Sequence, residues 1–145
     1  MIKYTGSYEY IESCGNKLFT AILLPDKTGK FPVVIMRNPY VNAFEDAKED
    51  DIVLEYLNEY KPWLENGYAI VFQHCRGRGK SDGDCIPYIN EHEDGIALQE
   101  WVRKQNFYNG ESSYFRLRNY EGFSEILTIK EKTKYKNSDG KKMNI

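Results

Sequence analysis

Two short, continuous apolar runs constrain what this chain can fold into more than any other feature. They cover residues 31–36 and 68–72, and each is rich in β-branched or aromatic side chains. Such runs are typical of strands buried on both faces, as in a parallel sheet. Between them, from residue 47 to residue 60, apolar side chains recur roughly at helical spacing. The order strand, helix, strand predicts an α/β fold with a parallel sheet and right-handed crossovers.

The segments that flank these runs have their own patterns. Residues 7–12 and 17–24 alternate in polarity and are separated by Cys14-Gly15-Asn16, which predicts an N-terminal β-hairpin. Pro62 is predicted to open a further turn or to kink the first helix, because proline is excluded from an undisturbed helix interior. Gly67 is well placed to end that helical segment.

A second helix is predicted from about residue 91 to residue 104. Asn90 and Glu93 have the spacing of a reciprocal N-terminal cap. Its predicted core side consists of four apolar residues, namely Ala97, Leu98, Trp101 and Val102.

Composition excludes several classes of function. The 145 residues include 20 basic and 22 acidic side chains, and the excess of basic residues after residue 110 is interpreted as a solvated tail. No apolar run approaches the roughly 18 residues of a membrane span, and no signal core follows the start. The three cysteines form no disulfide framework, which favours a reduced cytoplasm. We therefore expect no membrane partner, and a chain of this length suggests part of a larger domain.

Two further chemistries are set aside. A metal site is not expected from Cys75, Cys85, His74 and His92, because they lack the paired spacing of metal ligands. No nucleic-acid partner is expected either, because the segment 76–79 is one short Arg-Gly copy within an acidic half of the chain.

Four motifs follow one another along the chain. They are Arg37-Asn38-Pro39-Tyr40, Gly67-Tyr68-Ala69-Ile70-Val71, the segment from Arg76 to Gly83, and Glu91-His92-Glu93-Asp94-Gly95. In this order they resemble the N-terminal part of the catalytic domain of the CocE/NonD serine hydrolases, the cocaine esterase and X-Pro dipeptidyl-peptidase family. The resemblance implies an α/β-hydrolase sheet, hydrolysis of small esters or X-Pro amides through an acyl-enzyme, and no cofactor or metal.

The resemblance also assigns candidate site residues. It implies that the hydroxyl of Tyr40 donates a hydrogen bond to the oxyanion of the tetrahedral intermediate. The family's nucleophile belongs to a Gly-x-Ser-Tyr-x-Gly motif that follows Asn109-Gly110 after one short strand. Ser113 and Ser124 are the weak candidates for it. Ser113 stands too close to Gly110 for a strand to intervene, and Ser124 lacks the second glycine of the motif.

The predicted organisation follows from these observations. Residues 1–110 form the N-terminal part of an α/β-hydrolase domain, truncated before the nucleophile, and residues 111–145 form an unmatched, partly disordered tail. A change of reading frame or a truncated gene would account for the loss of resemblance at that point. The chain alone is predicted to be inactive; the alternative is a non-catalytic remnant or binding module. The open sheet edge left after two parallel strands predicts self-association.

Overall fold

One five-stranded sheet organises the part of the chain that the structure describes, and its strand order is β1-β2-β4-β3-β5. The structure is a computed structural model, and it describes residues 4–84 and 90–116. The elements in chain order are β1 (Thr5–Ser13), β2 (Asn16–Leu24), β3 (Phe31–Asn38), a short 3-10 helix (Asn42–Phe44), α1 (Glu49–Glu59), α2 (Lys61–Glu65), β4 (Ala69–His74), α3 (Glu91–Arg103) and β5 (Tyr108–Arg116).

The N-terminal hairpin is confirmed. Strands β1 and β2 pair antiparallel along their whole length, from Thr5 opposite Leu24 to Ser13 opposite Asn16. The turn between them has positive φ at Cys14 and Gly15, the conformation that tight hairpin turns require. Strand β2 then pairs antiparallel with β4 and so joins the hairpin to the parallel part of the sheet.

The parallel core of the sheet is also confirmed, and it is larger than predicted. Strand β3 pairs parallel with β4 on one side and with β5 on the other. The prediction that the sheet ends after two parallel strands is therefore wrong. Strand β5 begins before Gly110 and continues beyond it to Arg116, so the sheet includes residues on both sides of the predicted boundary at residue 110.

Two apolar clusters cover the two faces of the sheet. On one face, Val34 and Ile70 pack with the buried side of α1, which includes Ile52 and Tyr56. On the other face, neighbouring strand residues such as Val33 pack with α3. Successive residues of a strand point to opposite faces, so the continuous apolar runs supply both clusters at once.

The helices begin and end near the predicted positions. Pro62 lies in the first turn of α2, and Gly67, with φ of 88°, follows the end of that helix. Helix α3 buries Leu98 and Val102, whereas the other two predicted core residues are half-buried. The predicted reciprocal cap is wrong, because the Asn90 side chain makes no cap hydrogen bond. No helix in residues 4–84 and 90–116 is long and apolar enough to cross a membrane.

Candidate active site

Tyr40 lies just beyond the carboxyl end of β3, which is flanked by β4 and β5. Its backbone N–H donates a 2.7 Å hydrogen bond to Oδ1 of Asn38. Val41, the next residue, is buried in the core, and its carbonyl accepts a hydrogen bond from the N–H of Phe44. The chain is thus fixed on both sides of Tyr40. Tyr40 as a whole residue is 47% exposed.

This arrangement suits a hydrogen-bond donor at a binding site. Ligands of α/β sheets bind beyond the carboxyl ends of parallel strands, where Tyr40 is placed. A phenol on a fixed backbone can donate to a developing oxyanion with little reorganisation, and one such donor contributes roughly 100- to 1000-fold in rate.

A buried cluster of charges lies directly before Tyr40 in the chain. The Arg37 side chain has no exposed surface. Its Nε donates to Oε1 of Gln73 at 2.8 Å, and its Nη1 donates to Oε1 of Glu91 at 2.5 Å. The third neighbour is Asp94, whose Oδ2 lies 3.8 Å from Nη2 of Arg37. These contacts fix the end of β3 to β4 and to the first turn of α3.

Arg76 and Ser13 complete this cluster around Asp94. Arg76 donates from Nε to Oδ2 of Asp94 at 3.0 Å and from Nη2 to Oδ1 at 2.5 Å, and Ser13 donates to the same Oδ1 at 2.6 Å. Asp82 lies only six residues further along the same loop, but the carboxylate partners of Arg76 belong to α3. The backbone of Asp82 instead accepts from the N–H of Gly77.

His74, one of the residues considered as metal ligands, lies at the end of β4. Its Nδ1 accepts a 3.2 Å hydrogen bond from the N–H of Lys80, so the proton of the neutral ring is on Nε2, which lies 2.9 Å from the Tyr56 hydroxyl. Burial first, and the charge of Lys80 second, lower the pKa of His74 to about 4. With both ring nitrogens occupied, His74 holds the loop after β4 in place and is not disposed as a general base.

The structure places one of the two candidate serines. Ser113 is half-buried within β5, opposite Val34 of β3 and three residues before the carboxyl end of the strand at Arg116. A nucleophile on a strand-to-helix turn follows the end of its strand. Ser113 therefore does not occupy such a turn. Ser124 lies outside the described residues.

The position where β5 ends shows where to align the family's nucleophile motif with this sequence. Residues 117–122, which follow the strand directly, read Leu-Arg-Asn-Tyr-Glu-Gly. This stretch has the Tyr-x-Gly ending of the Gly-x-Ser-Tyr-x-Gly motif, with Asn119 at the position of the serine and Leu117 at the position of the first glycine. A motif search that requires a serine at position 119 does not find this alignment.

Known proteins resemble the chain across this whole region. The model of the X-Pro dipeptidyl-peptidase (S15) family matches residues 15–127. Cocaine esterase from Rhodococcus sp. (strain MB1 Bresler) is 30% identical over 104 residues, which are 70% of this chain and 17% of the esterase. The chain thus spans less than a fifth of the length of that relative.

Solved structures share the fold. An aminopeptidase from a marine sediment archaeon, Thaumarchaeota archaeon, superposes with a TM-score of 0.59 at 25% identity, over 78% of this chain and 21% of that protein. A CocE/NonD family hydrolase from Staphylococcus aureus gives 0.58 at 25% identity, over 75% of this chain and 22% of the hydrolase. These likenesses and the family match confirm the resemblance inferred from the four motifs. The chain belongs to the X-Pro dipeptidyl-peptidase (S15) family of α/β-fold hydrolases, the group that includes the CocE/NonD enzymes.

Proposed function

We propose that this chain provides the oxyanion-stabilising part of a serine-hydrolase site, with the hydroxyl of Tyr40 as the donor. The observation that carries this proposal is an exposed phenol on a fixed backbone just beyond the end of a central parallel strand. The substrate class is a small ester or an amide that follows an X-Pro dipeptide, as in the family. Either substrate passes through a tetrahedral oxyanion, which a phenol donor stabilises.

The 145-residue chain by itself is inactive in this proposal. Asn119 stands where the family motif has its serine, and an amide nitrogen is not a nucleophile for acyl transfer. Both histidines of the sequence, His74 and His92, precede β5, whereas the histidine of an α/β-hydrolase triad follows the nucleophile. Loss of the nucleophile from a triad lowers the rate by about a million-fold.

A second candidate function is a non-catalytic module that binds a small ester or peptide without cleaving it. The asparagine at the serine position favours this reading, because it removes the nucleophile while the fixed loop around Tyr40 remains. Binding and cleavage therefore need separate tests.

Cleavage is tested with a fluorophosphonate probe, which labels activated serines. We expect folded protein to label no more than heat-denatured protein does. Ser113→Ala and Ser124→Ala are the test variants, and Ser7→Ala, at an exposed position of β1, is the matched control. Labelling of the folded chain that disappears in either test variant but persists in Ser7→Ala would show an active serine and refute the proposed inactivity.

Binding at Tyr40 is tested with phenylphosphonate, a tetrahedral anion that resembles the intermediate. In ring-labelled tyrosine NMR, we expect a saturable shift of the Tyr40 signal, identified by its absence in Tyr40→Phe. Tyr68, which is also exposed but packs against Trp63, is the internal control. Equal shifts of Tyr40 and Tyr68, or no shift of either, would argue against a binding site at this end of β3.

A further inference from the structure

The sequence contains two Asn-Gly pairs, Asn66-Gly67 after α2 and Asn109-Gly110 near the start of β5. Asparagine is thermolabile, and most so before glycine, whose unhindered backbone nitrogen can reach the asparagine Cγ. Asn66 and Asn109 are both exposed, and both glycines have positive φ, 88° and 99°. Exposure and backbone φ therefore do not distinguish the two pairs, whereas their hydrogen bonds do.

At Asn66-Gly67, hydrogen bonds hold both reacting groups in place. The nitrogen of Gly67, which would attack, donates its hydrogen to the carbonyl of Leu64 at 3.1 Å. The side-chain amide of Asn66, which would leave, donates from Nδ2 to the carbonyl of Pro62 at 2.8 Å. Attack at this pair therefore requires the end of α2 to open first.

At Asn109-Gly110, a hydrogen bond activates the group that is attacked. The N–H of Glu111 donates to Oδ1 of Asn109 at 2.9 Å. This bond polarises the side-chain carbonyl, and Oδ1 is the atom that carries the negative charge once the tetrahedral intermediate has formed. A backbone N–H that already points at a developing oxyanion stabilises it without reorganisation.

The backbone around Gly110 lies outside the regular strand pairing. The paired positions of β5 and β3 leave residues 109–111 opposite Pro32 alone. Proline has no backbone N–H and offers no donor to this stretch. Gly110 thus has no partner position in β3, and a Cβ added to it would meet nothing within 4 Å. No paired position has to open for the nitrogen of Gly110 to approach Cγ of Asn109.

We propose that Asn109 is a site of spontaneous deamidation and that Asn66 is protected from it. The nitrogen of Gly110 attacks Cγ of Asn109, and the new N–C bond closes a five-membered succinimide. The side-chain nitrogen leaves as ammonia, which takes up the hydrogen of the attacking nitrogen. Water then opens the succinimide at either carbonyl and gives aspartate or isoaspartate. The net change is the uptake of one water and the release of one ammonia, and it adds a negative charge two residues before Glu111.

Mass spectrometry of the full chain after incubation at neutral pH tests this proposal. Deamidation adds one mass unit, and fragment ions assign each gain to one asparagine. In the folded protein we expect Asn109 to react at least about tenfold faster than Asn66, since a hydrogen bond to a charged oxygen lowers a barrier by that order. In urea, which removes both hydrogen-bond patterns, the two rates should converge. Equal rates in the folded protein, or a faster reaction at Asn66, would overturn the proposal.

A pair of variants tests the role of the Glu111 amide. Glu111→Pro removes the N–H that donates to Asn109, whereas Glu111→Gln, the matched control, removes the charge and keeps the N–H. We expect deamidation of Asn109 to slow by about tenfold in folded Glu111→Pro and to keep its rate in Glu111→Gln. In urea all three chains should react alike. A wild-type rate in folded Glu111→Pro would contradict the activating hydrogen bond. If that variant does not fold, the comparison of Asn109 with Asn66 in the wild type still decides.

Discussion

At the end of β3, Arg37 places a full positive charge in the protein interior, with no exposed side-chain surface. Such a charge is tolerated when it is paired and hydrogen-bonded, here by Gln73 and Glu91 with Asp94 nearby. Removing one partner of a buried ion pair leaves the other charge uncompensated, which costs much more than the pair contributes.

We predict that Arg37→Met lowers the free energy of unfolding by about 3–5 kcal/mol, because Glu91 then lacks its partner. Urea denaturation followed by circular dichroism measures this. Arg103→Met, an exposed arginine of α3, is the control and should change stability by less than about 0.5 kcal/mol. Adding Glu91→Gln to Arg37→Met should recover part of the lost free energy of unfolding, since it removes the carboxylate that Arg37 no longer pairs with. An Arg37→Met variant as stable as the wild type would show that the cluster does not depend on this arginine.

The second residue-scale prediction concerns pH. The pKa of His74 is lowered from 6.5 to about 4 in the folded protein, chiefly by burial, so the unfolded chain binds a proton first as pH falls. The contribution of neutral His74 is therefore complete above about pH 6.5 and is lost progressively towards pH 4. The loss is on the order of 3 kcal/mol for a shift of this size.

Urea midpoints between pH 7.5 and pH 4.5 check this linkage. Carboxylates also titrate near the lower limit, so the decisive comparison is between variants. In His74→Gln, the urea midpoint should change less with pH above pH 5 than in the wild type. In His92→Gln, at an exposed position, it should change with pH as in the wild type. Identical slopes for the wild type and His74→Gln would contradict a neutral, buried His74.

At the scale of elements, helix α3 and strand β5 contact each other at one closely packed point. A Cβ added at Gly95 of α3 would lie 2.8 Å from the Tyr114 hydroxyl of β5 and 3.4 Å from its Cζ. Glycine costs a helix interior about 1 kcal/mol relative to alanine, so intrinsic propensity alone favours alanine here. The close approach of β5 opposes that preference.

We therefore predict that the effect of Gly95→Ala changes sign with the residue at position 114. In the wild type, Gly95→Ala should destabilise, because Tyr114 must move. In a Tyr114→Phe background, the hydroxyl is absent and Gly95→Ala should stabilise by up to about 1 kcal/mol. A double-mutant cycle by urea denaturation measures the coupling. Additive effects of the two substitutions would mean that α3 does not pack against β5 as described.

At the scale of the whole molecule, the two apolar clusters share their strands. Residues of β3 and β4 contribute alternately to the cluster around α1 and to the cluster around α3. Neither face can lose its packing without affecting strands that the other face needs. The described part of the chain is therefore expected to unfold as one cooperative unit.

Core truncations on the two faces test this cooperativity. Ile52→Ala in α1 and Leu98→Ala in α3 should each cost about 2–5 kcal/mol and shift the same transition with an unchanged m-value. Leu54→Ala, at a position 63% exposed on α1, is the control and should have little effect. Separate transitions for the two faces, seen by tryptophan fluorescence and far-ultraviolet circular dichroism, would refute a single unit.

Sequence patterns predicted the elements whose signals are local. The apolar runs located β3 and β4, helical spacing located α1 and α3, and Gly67 marked the end of α2. The four ordered motifs identified the family that the match over residues 15–127 confirms. The role of Tyr40 remains a prediction, although its place at the end of β3 agrees with it.

Strand β5 was not predictable in the same way. Its sequence, Tyr-Asn-Gly-Glu-Ser-Ser-Tyr-Phe-Arg, has no apolar run and contains a turn-like Asn-Gly pair at its second and third positions. It is a strand because β3 offers a free edge to pair with, and that edge exists once the sheet has formed. The alignment of Asn119 with the serine of the family motif likewise depends on knowing where β5 ends.

By itself, the sequence determined the α/β class, the hairpin and the family, because periodicity, turn residues and motifs are properties of neighbouring residues. The tertiary structure alone decided which charges are paired. Arg76 contacts Asp94 and not Asp82, and Arg37 is buried beside Glu91. These partners are 18 and 54 residues apart and meet only when α3 packs on the sheet, so no local sequence pattern predicts them.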